Sequence, residues 1–154
     1  MVSIKDIIVK NTENLTSKIE FRDGIIIELR YVSRSVISKM SRECTVMKYD
    51  PKSRVREPQI DGKKFSEVFT RAAVVGWEGV TPRSIATLIA VDLSKIKPED
   101  LDKPLPFTAE DFAFIMENAY ELDNWLQNEA VEIRNFKPSK EDEEKNSQSS
   151  QSGS

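Results

Sequence analysis

The chain has 154 residues, 38% of them hydrophobic, with a formal net charge of -3 and a sequence pI near 5.2, which is enough apolar material for about one domain with one modest core. It contains one cysteine, Cys44, and no histidine, so an intramolecular disulfide and every scheme that needs an imidazole, from metal ligation to a serine or cysteine triad, are excluded. No window approaches the roughly 18 to 20 apolar residues of a membrane-spanning helix, and "MVSIKDIIVKN" is charged where a signal peptide is apolar, so the expected location is the cytoplasm.

In chain order, a short helix is read near Ile4 to Val9, followed by "SKIEFRDGIIIELRYV", which reads as a β-hairpin. A two-residue Asp23-Gly24 turn would set Ile25 and Ile27 opposite Arg22 and Glu20. A three-residue loop, Arg22-Asp23-Gly24, pairs Phe21 with Ile25 and Ile19 with Ile27 instead; it puts apolar on apolar, with Gly24 as the left-handed residue of a G1 bulge, and is the predicted register. Leu29 and Tyr31 continue the buried face.

Three helices are announced by one device, a capping residue flanked by an apolar pair just before it and four after it: Val32-Ser33 with Ile37, Ile60-Asp61 with Phe65, and Phe107-Thr108 with Phe112. Between the first two, "TVMKYDPKSRVREPQID" is extended with "DPKS" as a turn, a second hairpin arm that Pro58 would confine to an edge. The second helix buries Phe65, Val68, Phe69, Ala72 and Val75 at helical spacing. "VVGWEGVTP" then reads as a helix-to-helix corner, with Gly76 as the left-handed end of one helix and Pro82 in the first turn of a short helix over residues 83 to 91. Trp77 would either plug that corner or face outward as an anchor for a partner.

The third helix is the longest and most acidic, with Phe112, Ile115, Met116, Ala119, Leu122, Leu126 and Ile133 along one side. It also carries Phe114, Tyr120, Trp125, Val131 and Phe136, more large apolar residues than one stripe hides. Either the helix is central and buried on two sides, or the surplus binds something. Past Phe136, "KPSKEDEEKNSQSSQSGS" has no apolar residue and is expected to be a disordered tail. The sequence thus predicts an α+β domain over 1–136, an N-terminal hairpin packed with about four helices, and a polar tail over 137–154.

The charge is polarised. From Arg30 to Arg56 there are eight basic and two acidic residues, and from Glu110 to Glu132 seven acidic and no basic ones. Such runs form solvated faces, or complementary surfaces between copies or toward a charged partner. Glu117 and Glu121 on the acidic helix have the spacing of an ordinary soluble helix rather than of a catalytic pair, and "DGIIIE" and "DGKK" lack the repeated glycines of a phosphate cradle. The segment 30–56 could contact nucleic acid, but Tyr49 is the lone aromatic near its turn and the acidic pI argues against a dedicated binder. No catalytic residue, cofactor or metal site is read.

The succession of the hairpin, "YVSRSVISKMSREC", "DGKKFSEVFTRAAVVGWEGVT" and "PLPFTAEDFAFIMENAYELDNWLQNEAVEIRNF" resembles the small tail assembly chaperones of long-tailed bacteriophages and prophages, over residues 17 to 136. The tryptophan-glycine corner, the "PFT-E" helix start and the closing "NF" carry most of the likeness. The resemblance implies a non-enzymatic protein of the host bacterial cytoplasm that coats the tape measure protein for tail tube assembly, without nucleotide, metal or membrane. A frameshifted longer form would recruit the tail tube protein. On this reading Trp77, Phe114, Leu122, Trp125 and Phe136 form the protein-binding surface for apolar stretches of a client helix, and the opposite charge poles would let copies self-associate head to tail. The alternative is a small regulatory protein of a mobile element that binds nucleic acid or a host protein through segment 30–56.

Overall fold

Alternating isoleucines place the middle of the fold. In the computed structural model, which describes residues 1–9 and 11–136, strands β1 (Thr16–Arg22) and β2 (Ile25–Arg30) pair antiparallel, and Ile25, Ile27 and Leu29 of β2 are buried on one face. The tail expected over 137–154 lies outside the described residues.

The hairpin reaches one of its two predicted apolar pairs, by a different route. Asp23 and Gly24 both take positive φ, 51° and 81°, as in a type I′ turn, so Arg22 pairs directly with Ile25. The register then shifts between Glu20 and Arg22, making Phe21 the extra residue of a bulge, and Ile19 falls opposite Ile27 as predicted. The predicted Phe21–Ile25 pair is not formed. Phe21 stands edge-on to Trp125 instead, ring centroids 5.1 Å apart.

All three predicted helix starts are present. Ser33 accepts a hydrogen bond from the Val36 amide at the start of α2 (Arg34–Glu43), Asp61 from Lys64 at the start of α3 (Gly62–Ala73), and Thr108 from Asp111 at the start of α5 (Ala109–Asn118). The staple of α5 is closed, with the Phe107 and Phe112 rings 6.0 Å apart. Two short helices join these: α1 (Ile4–Ile7), and α4 (Pro82–Ile85), where a Thr81–Ser84 capping box starts a single turn in place of the longer helix expected over 83–91.

Helix α3 stops at Ala73, and the chain continues as a strand. β5 (Val74–Glu78) pairs antiparallel with the free edge of β2, giving a three-stranded sheet in the order β1-β2-β5. Val75 is therefore an exposed strand residue, and Gly76 pairs with Glu28 instead of ending a helix. The corner lies at Gly79, φ 71°, packed so closely on the first hairpin's turn that a Cβ there would sit 2.0 Å from the Gly24 carbonyl oxygen.

The long acidic helix is likewise two. It breaks at Ala119 (φ -115°, ψ 83°) between α5 and α6 (Tyr120–Glu129), while Ile133 belongs to a separate 3₁₀ turn, Ile133–Phe136. No proline or glycine causes the break; the Asn118 side chain donates to the Phe114 carbonyl at 3.0 Å, closing the end of α5. Each half buries its own residues, Phe112, Ile115 and Met116 from α5 and Leu122 and Leu126 from α6, against the sheet and Phe69 and Ala73 of α3.

The second hairpin forms as an arm. β3 (Thr45–Asp50) and β4 (Val55–Ile60) pair only with each other, with Pro58 opposite Met47, and every residue of β4 is exposed. At its base the Asp61 amide donates to the Cys44 carbonyl at 2.8 Å.

Candidate apolar groove between helices α3 and α5

Where α3 crosses α5 the two helices leave an open groove of about 980 Å³. Phe112, Met116 and Val74 form its floor, and Phe114 and Ala113 its α5 wall. The capping of α5 at Thr108 sets this geometry. With Phe112 turned into the core, Phe114 lies about 200° further round the helix, at 100° per residue, and is 61% exposed. Charge rings the groove: Lys63 and Glu117 face each other across it at 3.9 Å, with Glu67, Arg71 and Glu110 alongside.

Two polar features interrupt the apolar lining. The Ser66 hydroxyl donates to the Asp123 carboxylate at 2.8 Å, which also accepts from Gln127 at 3.2 Å, tying α3 to α6. The Thr70 hydroxyl, on a residue only 7% exposed, has no hydrogen-bond partner among the described residues. A buried hydroxyl left so costs about 1–3 kcal/mol.

The five residues expected to form one binding surface are not brought together. Phe114 is at the groove. Leu122, 2% exposed, and Phe136, buried edge-on against Tyr31, are core residues with no face toward a partner. Trp125 is half-buried against Phe21, away from the groove. Trp77 shares the core face of the sheet with its strand partner Ile27, packs on Phe107 and Phe112, and donates its indole N–H to the Leu105 carbonyl at 2.9 Å. It plugs the gap between sheet and α5 rather than projecting outward. Of the surplus apolar residues, Phe114, Tyr120 and Val131 remain exposed, Tyr120 by 79%.

Sequence reading missed the α3 side of the groove, namely Ser66, Thr70 and Val74. The small and polar residues of α3 at positions 66 and 70 lie at i, i+4, the spacing of one helix face, and that was the available signal. A second, smaller cleft of about 160 Å³ beside Trp77 is edged by the Lys18–Glu78 ion pair, whose hydrogen bond holds the Lys18 ammonium above the ordinary lysine range. Among the described residues no group of three His, Cys, Asp or Glu side chains could hold a metal ion, and no helix is long and apolar enough to cross a membrane. No family model, curated protein or solved structure matches the chain.

Proposed function

We propose that the protein is a tail assembly chaperone of a long-tailed bacteriophage or prophage, which holds apolar stretches of the tape measure protein in the host cytoplasm until the tail tube polymerises around them. The identity of the client comes from the sequence resemblance over residues 17 to 136. The observation that carries the binding mode is Phe114, a large aromatic left 61% exposed at the wall of an apolar groove while α5 satisfies its own core through Phe112, Ile115 and Met116. Charged residues around the groove keep the free protein soluble and would keep the coated client so. Nothing in this reading requires a chemical step.

The test is coexpression with a tape measure fragment that is insoluble alone. Phe114→Asp should lower the soluble client at least about tenfold, the range of a lost aromatic anchor, while Val55→Asp on the arm leaves it unchanged. Undiminished client solubility with Phe114→Asp would rule out the groove as the client's site. The longer form that recruits tube subunits would be encoded by a slippery run near the Lys145 codon with an overlapping downstream frame.

A further inference from the structure

The β3–β4 arm is an apolar surface without a partner. Strict alternation puts Thr45, Met47 and Tyr49 on one face, directly across from Ile60, Pro58 and Arg56. Met47, Tyr49 and Ile60 are all more than half exposed, Tyr49 by 60%. A two-stranded hairpin is marginal in water by itself, so an arm with one greasy face and two unpaired edges is a structure that wants covering.

We propose that this arm docks into the α3–α5 groove of a second copy of the chain. Two observations favour that occupant. The lengths agree: a six-residue strand spans about 20 Å and the twelve-residue helix α3 about 18 Å. The charges oppose: the docking face and turn of the arm carry Arg56, Lys52 and Arg54, with Lys48, Asp50 and Glu57 on the other face, whereas the groove carries Glu67, Glu110, Glu117 and Asp123 against Lys63 and Arg71. Because the arm leaves the body at Asp61, immediately before the groove opens at Gly62, the docking is between molecules: the arm of one occupies the groove of the next. The proposal does not depend on which client the groove serves. A client would compete with the arm, so self-association stores the groove covered.

Sedimentation equilibrium of the full chain, from about 1 μM to about 1 mM, reads the association directly. The mass should rise with concentration and fall back with added salt. Met47→Asp with Tyr49→Asp should weaken association at least about tenfold, and Val55→Asp, on the opposite face, should change it by no more than about twofold. Tyr49→Cys chains mixed with Ala113→Cys chains should form an intermolecular disulfide that Val55→Cys chains do not. Circular dichroism of the arm variants, all at exposed positions, separates lost docking from lost fold. A chain monomeric throughout, association indifferent to the Met47 and Tyr49 changes, or an arm protected only by a client fragment or duplex DNA would each overturn the proposal. Client solubilisation by a monomeric protein would leave the chaperone reading standing while this one fell.

Discussion

Gly76 and Gly79 flank Trp77 and Glu78 symmetrically in the sequence, yet the fold asks opposite things of them. Gly76 is an ordinary strand residue whose added Cβ would come no nearer than 4.0 Å to the Glu28 carboxylate. Gly79 combines positive φ with backbone contact to Gly24, a fixed neighbour that cannot swing aside. Gly79→Ala should therefore cost more than about 2 kcal/mol in denaturant unfolding and Gly76→Ala less than about 1 kcal/mol. Leu122 and Phe114 make a similar contrast. Both read as binding residues, but Leu122 lies on the apolar stripe that the fold buries and Phe114 lies off it. Leu122→Ala should lose about 2–5 kcal/mol as a core cavity, whereas Phe114→Ala should leave stability within about 0.5 kcal/mol, measured by the same unfolding curves.

Among the helices and strands, the legible features were the local ones. Ser33, Asp61 and Thr108 marked three helix starts because a cap and its staple lie within six residues, and "DPKS" marked the arm's turn for the same reason. The strand β5 was not legible. "VVGWE" fits the end of a helix by periodicity, and only the unpaired edge of β2, some fifty residues away in sequence, makes it a strand. The Ile19–Ile27 pairing of the hairpin was read from its side chains, while its turn and the partner of Ile25 were not, because the bulge at Phe21 lets a two-residue turn precede that apolar match.

Surface ion pairs between elements give a pH signature. Arg83 at α4 forks onto Asp102, and its hydrogen bonds hold that carboxyl below the usual aspartate range. A lowered folded-state pKa means that the pair's contribution is present at neutral pH and is lost as pH falls through the folded value. The Asp102→Asn variant should thus melt below the parent protein at pH 7 and converge with it in acid; a gap that stays constant across the titration would exclude the pair as its cause. The effect should be small, since both groups are exposed to water.

Taken as one body, the protein concentrates basic residues on α2 and the arm and acidic residues on α5 and α6. The sequence displayed that polarity and the apolar excess of its last third, but not the groove, which exists only where α3 and α5 meet and which neither segment announces alone. Whether this groove receives apolar chain can be read by hydrogen exchange on the full-length protein, with and without a purified tape measure fragment. Added protection should concentrate in residues 62–73 and 109–118 and disappear with Phe114→Asp. Protection confined to the Trp125 and Phe21 side, or none on binding, would contradict a client seated between α3 and α5.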